Sequence, residues 1–154
     1  MTFLEKVCQA LNEAGVRYVV VGGYAVALHG AVRGTLDIDI ALRWTKRDLT
    51  NTESALNGLG LISRLPVQAT EVYQFRDEYI KNRNLIAWNF YNPDNIAEQL
   101  DIIINFDAKG RKAVNKQLPN STVPVLNRID LIKMKQTSGR PQDIEDIKAL
   151  ERLK

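Results

Sequence analysis

The chain is short of the residues that make crosslinks, spans and charged tails. It has one cysteine, Cys8, in 154 residues. One thiol cannot close an internal disulfide, which points to a reducing, cytoplasmic setting. Cys8 shares the Leu4/Val7/Leu11 face of a helical pattern and reads as a small buried hydrophobe. The single histidine, His29, reads as a hydrogen-bonded structural residue near a helix end. No apolar run approaches the length needed to cross a bilayer, so no membrane partner is expected. The first residues, MTFLEKVCQALNEAG, lack a basic leader region and are interrupted by Glu5, Lys6 and Gln9. They read as a helix and not as a signal peptide. An excess of one charge is also missing: 21 Lys+Arg face 18 Asp+Glu, a net +3. That balance permits an anionic substrate without demanding nucleic acid. Repeats and low-complexity stretches are absent.

What is present is the balance of a globular protein, 45% hydrophobic and 25% charged, with enough chain to bury a core. Residues 2–14 predict an amphipathic helix opened by a Thr2/Glu5 capping box. RYVVVG (17–22) is an apolar, β-branched strand. A short helix follows at 24–30, and DIDIAL (37–42) alternates with the strand period. Thr45, with Asp48 three residues on, opens a helix to about Gly58. Beyond it come a short strand near 61–65, a polar helical stretch (71–82), strands at 84–92 and 99–106, and an extended piece at 121–126. Asn127 caps a helix to about Thr137, and a last helix runs from about Gln142. The strands lack regular helical crossovers. An α+β single domain follows, with a small mixed sheet flanked by helices and 127–154 as a C-terminal helical pair.

Two features bear on chemistry. The strand at 17–22 ends in Gly22-Gly23 and turns into a helix, where backbone can approach a ligand closely and N–H groups favour phosphate. No Gly-Lys-Ser/Thr follows and no G-x-G-x-x-G is present, so neither a Walker loop nor a dinucleotide fingerprint is encoded. The second feature is Asp37-Ile-Asp39 inside an apolar segment. Residues i and i+2 of a strand share a face, roughly 6.5–7 Å apart. Such a pair repels itself unless a cation intervenes. It is either a site for Mg²⁺ and substrate phosphates or an edge-strand pair reaching solvent. Asp101 interrupts another apolar strand, QLDIIINF. Convergence of the three carboxylates requires the two strands to be neighbours.

The string GGYAVALHGAVRGTLDIDI, with a later strand aspartate, resembles the DNA polymerase beta-like nucleotidyltransferase superfamily. It is most similar to the bacterial toxin-type branch associated with abortive infection and toxin–antitoxin systems. LIKMK (131–135) and RPQDIED (140–146) are similar to that branch's tail. The resemblance implies Mg²⁺-dependent transfer of a nucleotide from an NTP to an RNA or protein hydroxyl. Two metal ions are implied, with Mn²⁺ as a substitute, as is a cognate antitoxin or other partner protein. By the same resemblance Asp37 and Asp39 bind metal, Asp101 completes the triad, and Gly22-Gly23 touches phosphate. Arg33 and Thr35 would orient the acids or meet a phosphate, and Arg33 equally suits a salt bridge to an aspartate. Lys135 and Arg140 would grip the triphosphate, or else pair with Asp143 or Asp146. A small-molecule (antibiotic) nucleotidyltransferase shares such a motif, and a non-catalytic partner-binding module could keep the fold. The basic cluster Lys109, Arg111, Lys112 and Lys116 reads as a solvated face or as a phosphate or RNA patch.

Overall fold

A computed structural model describes residues 1–34 and 37–153. The first helix, α1 (Phe3–Glu13), starts at the expected capping box. Thr2 Oγ1 accepts from the Glu5 N–H at 3.1 Å, and Glu5 Oε1 accepts from the Thr2 N–H at 3.1 Å. Its Leu4, Val7, Cys8 and Leu11 are buried, as the periodicity requires. Glu5 Oε2 also accepts from the Asn120 N–H at 2.7 Å, tying α1 to a distant turn.

The next three elements frame the carboxylates. Strand β1 (Tyr18–Val21) is buried along its whole length, and α2 (Gly22–Leu28) follows without a loop. The expected short helix therefore begins two residues early and takes both glycines into its first turn. Strand β2 (Ile38–Leu42) buries Ile38 and Ile40 on one face and turns Asp39 to the other. Asp37 lies just before the strand and is exposed.

Helix α3 (Lys46–Gly58), strand β3 (Ile62–Ser63) and helices α4 (Ala69–Gln74) and α5 (Arg76–Arg83) come next. The single polar helix expected at 71–82 is thus two short helices broken at Phe75. Strand β4 (Ala87–Asn92) and the longer β5 (Asn95–Ile103) form a hairpin through Pro93-Asp94. Strand β6 (Ala113–Leu118) was not expected. Its sequence AVNKQL has three consecutive polar residues and little apolar signal, and it forms by pairing with β7 (Ser121–Leu126). The chain closes with α6 (Arg128–Ser138) and α7 (Pro141–Glu151), separated by Gly139 in the left-handed region.

The seven strands form one mixed sheet in the order β3-β4-β5-β2-β1-β7-β6. β2 pairs antiparallel with β1 and parallel with β5, and β1 pairs parallel with β7. Helix α2 packs over β1, β2 and β7 and against α7, while α1 packs on β7 and α3. The core runs along the sheet through Val20, Ile38, Ile40, Trp88, Phe90, Leu100, Ile102 and Val125. The α+β fold with a mixed sheet flanked by helices is the one the sequence predicts. Among the described residues no helix is long and apolar enough to cross a membrane.

Buried Asp48 pins α3 to the start of β1. It accepts from the Arg17 backbone N–H at 3.0 Å and from the Arg17 guanidinium at 2.7 and 3.1 Å, and the Thr45 hydroxyl donates to it at 2.6 Å. Burial pushes this carboxyl up, but the Arg17 and Thr45 hydrogen bonds outweigh it and hold it below the usual value of 3.8. A depressed folded-state pKa stabilises the fold above the unfolded value and loses that contribution as pH falls through the folded one. Asp48→Asn should therefore destabilise by about 1.5–3 kcal/mol at neutral pH, the scale of charged hydrogen bonds. The gap to wild type should close below about pH 4, as read by denaturant melts across pH.

Candidate active site

The site is built by strand register. Asp39 on β2 sits directly opposite Asp101 on β5 in a parallel pair, and Asp101 sits opposite Asn89 on β4. Adjacent strands lie about 4.8 Å apart, so in-register side chains on one face are close neighbours. Both acids lie on interior strands of the sheet. An edge-strand position is thereby removed for Asp39 and Asp101, while Asp37 lies outside the strand and is exposed.

On the other side of Asp39 stands the glycine turn. Val21 is its register partner on β1, and Gly22 follows with φ +67°. A Cβ at Gly22 would overlap Asp39 Oδ2 and lie 2.8 Å from its Cγ. Only glycine satisfies both the left-handed backbone and this approach. Gly23 is buried in the same turn.

The electrostatics follow from this crowding. Asp39 is held well above the carboxylate range, at about 7, by burial first and then by the charges of Asp101 and Asp37. Lys135 and Arg140 oppose the shift, so the C-terminal helices deliver positive charge to the same place. Tyr24, in the first turn of α2, is also pushed up, by burial and by Asp37.

Those basic residues belong to a network of their own. Lys135 is buried with its Nζ 2.9 Å from Asp146 and 3.3 Å from Asp143. Arg33 reaches across from the loop after α2 to Asp146 at 3.0 Å, and Arg140 Nε meets Asp143 at 3.0 Å. Burial raises the Asp143 carboxyl, but hydrogen bonds from Arg140 and Ser138 and the Lys135 charge outweigh it and hold it at about 2. The ion-pair alternatives for Arg33, Lys135 and Arg140 thus describe their contacts. Thr35 lies outside the described residues. His29 Nε2 is 2.8 Å from the Leu126 carbonyl, a structural link from the end of α2 to the end of β7. Of the basic cluster, Arg111 pairs with Asp130 at 3.4 Å and lies 5.5 Å from the Phe106 ring centroid, while Lys116 sits on β6.

Reading the sequence for acids overlooked Asn89. It donates to Asp101 Oδ1 at 2.9 Å. The alternation Trp88-Asn89-Phe90 carried the signal, since both aromatics are fully buried and the asparagine must face the other way.

The donor set fits a divalent cation of the Mg²⁺ type. Mg²⁺ is held by one or two carboxylates plus substrate phosphates more often than by an all-protein cage. Among the described residues no three His, Cys, Asp or Glu side chains form such a cage. Instead, Asp39 and Asp101 stand in register as two carboxylates on one face, with burial first and then the Asp101 and Asp37 charges raising the Asp39 carboxyl.

The mixed sheet thus sets two in-register strand aspartates beside a glycine turn. The chain belongs to the family described as "Nucleotidyltransferase of unknown function (DUF6036)", whose model matches residues 2–153. No curated protein matches it by sequence. Solved structures share its fold. The lincosamide antibiotic adenylyltransferase LnuA, with lincomycin bound, superposes with TM-score 0.64 at 15% identity, covering 99% of this chain and 96% of that one. ANT(2")-Ia in complex with adenylyl-2"-tobramycin gives 0.59 at 14%, covering 96% and 84%. An antigenic nucleotidyltransferase-like protein from Paracoccidioides brasiliensis gives 0.60 at 16%, covering 95% and 72%. At these identities the likeness is one of fold.

Two stability measurements check the geometry. Asp39 has a raised pKa, so its contribution is fully present below the unfolded value near 3.8 and is lost as pH rises to about 7. In chelator, Asp39→Asn should match wild type near pH 4 and exceed it increasingly up to pH 7. A pH-independent difference in melting temperature would contradict the crowded carboxylates. Gly22→Ala should cost on the order of 1–3 kcal/mol from backbone strain and overlap. Adding Asp39→Ala should recover part of that cost, giving non-additivity in a double-mutant cycle.

Proposed function

We propose that this nucleotidyltransferase moves a nucleotidyl group from a Mg²⁺-bound NTP to an acceptor hydroxyl at the Asp39–Asp101 face. The carrying observation is the register that sets Asp39 against Asp101 beside Gly22. Asp37, Asp39 and Asp101 would hold the metal. Bound Mg²⁺ (two ions, or Mn²⁺ in its place) would supply neutralisation of phosphate charge. Gly22 and Gly23 would bring backbone up to the phosphates. Lys135 and Arg140 already act on Asp39 at a distance and would add positive charge beside the triphosphate. Arg33, through Asp146, would hold α7 against this side, with Thr35 as a further nucleotide contact. Asp101, from a separate strand, would face the acceptor and take the hydroxyl proton. The acceptor oxygen then bonds to the α-phosphorus as the bond to pyrophosphate breaks. Residues 1–154 would act as one catalytic unit, bordered by the helical pair 127–154.

Two acceptor classes have support. The sequence resemblance to the toxin-type branch favours an RNA or protein hydroxyl in a cytoplasmic toxin–antitoxin pair. The near end-to-end likeness to LnuA, an antibiotic adenylyltransferase, favours a small hydroxylated molecule. Labelled NTPs should be offered with Mg²⁺ to total RNA, to a protein fraction and to hydroxylated antibiotics. Label should move to one class, and Asp39→Asn should abolish it. Asp101→Asn should weaken the Mg²⁺-dependent part of NTP binding by calorimetry and cut turnover at least about 10²-fold, the scale of a lost acid–base group. No transfer to any class, with melting indifferent to Mg²⁺ plus NTP, would reject the reading.

A further inference from the structure

The face beside Asp101 contains a polar chain that neither the family nor the acid motif accounts for. It crosses three strands. Arg64, just beyond β3, donates from Nε to Asn89 Oδ1 at 2.8 Å. Asn89 on β4 donates from Nδ2 to Asp101 Oδ1 at 2.9 Å and reaches Gln99 Oε1 at 3.4 Å. Gln99 in turn donates from Nε2 to the Ile96 carbonyl at 2.9 Å.

The direction of every bond is determined by chemistry. A guanidinium has donors and no acceptor, and an ionised carboxylate has acceptors and no donor. Asn89 between them can orient its amide only one way, with oxygen to Arg64 and nitrogen to Asp101. Gln99 is oriented likewise, because its nitrogen is committed to a backbone carbonyl and its oxygen is left for Asn89. The Asn89 carboxamide thus uses its oxygen and both N–H groups. Arg64 is itself held at two more points. Its backbone N–H donates to the Asn89 carbonyl at 2.9 Å, and its guanidinium lies 4.3 Å from the Tyr91 ring centroid. Arg64 is exposed, so this stacking and backbone pairing give an otherwise mobile side chain a defined place.

We infer that Asn89 is a positioning residue for Asp101, and that Arg64 sets its orientation. Resting on the metal-dependent reading above, the pair acts as the outer support of a carboxylate ligand. Asn89 takes up Oδ1 of Asp101, leaving Oδ2 for a cation shared with Asp39. Outer hydrogen bonds of this kind orient ligating carboxylates, and their loss typically costs about 10–100-fold in metal affinity or activity.

The test uses Asn89→Leu, which keeps the volume and removes the donor, and Arg64→Met, which keeps the stem and removes the orienting donor. Metal binding is read without catalysis, as the rise in melting temperature on titrating Mn²⁺ plus a non-hydrolysable NTP. Turnover against Mg²⁺ concentration is read in parallel. Asn89→Leu should raise the half-saturating metal concentration about 10-fold or more, and Arg64→Met should shift it in the same direction by less. Arg64→Met lies on the surface and guards against a misfolded Asn89 variant. Both should melt close to wild type in chelator, which a merely structural role for Asn89 would not allow. Unchanged metal titrations in both variants, while Asp39→Asn loses the metal response, would overturn the inference and leave the metal site intact. A metal response absent in wild type itself would overturn both.

Discussion

The approach of the Asp39 carboxylate to Gly22 is the constraint on which the rest of the site depends. A charged group is lodged on an interior strand, against backbone on one side and against Asp101 on the other. Any side chain at position 22 would displace it, and any slip of β2 by one residue would turn it into the apolar face. The glycine, the register and the acid are therefore a single requirement. Burial, with the charges of Asp101 and Asp37 beside it, raises the Asp39 carboxyl to about 7, the mark of a local surplus of acids.

The C-terminal helices answer part of that surplus. Lys135 is buried between Asp143 and Asp146, and Arg33 ties Asp146 back to the loop ahead of β2. Buried charges are costly to desolvate and are tolerated when paired with good geometry. Here the pairing also fixes where α6 and α7 stand relative to the carboxylates, because Arg33 comes from the segment between α2 and β2. A network that binds the tail to that segment keeps positive charge near the site without placing it in contact with Asp39.

The two halves of the sheet divide the labour. Helix α2 covers β1, β2 and β7, and β1 is buried throughout. On β4 and β5 the face shared with the acids is instead polar, with Asn89, Gln99 and Asp101 linked by hydrogen bonds. These two strands thus do more than extend the core. They present a polar, hydrogen-bonded surface next to Asp101.

The elements with strong local signals were legible in the chain itself. The Thr2/Glu5 cap, the β-branched run into Gly22-Gly23 and the alternation around Asp37-Ile-Asp39 and Asp101 each follow from short-range physics. Period, capping and backbone sterics act within a few residues. Strand β6 was not legible, because Ala113–Leu118 has little apolar pattern and owes its form to pairing with β7. Nor was the junction of β1 directly into α2, which depends on what Gly22 meets across the sheet. Asn89 was readable as a face and not as a role. That Asp39 meets Asp101, that Lys135 lies between two aspartates, and that Arg64 orients Asn89 were decided by tertiary structure alone. Lys135 and Asp143 lie 8 positions apart and Arg64 and Asn89 25 apart, while Asp39 and Asp101 are linked through strand register, and neither composition nor period carries information about which strands become neighbours.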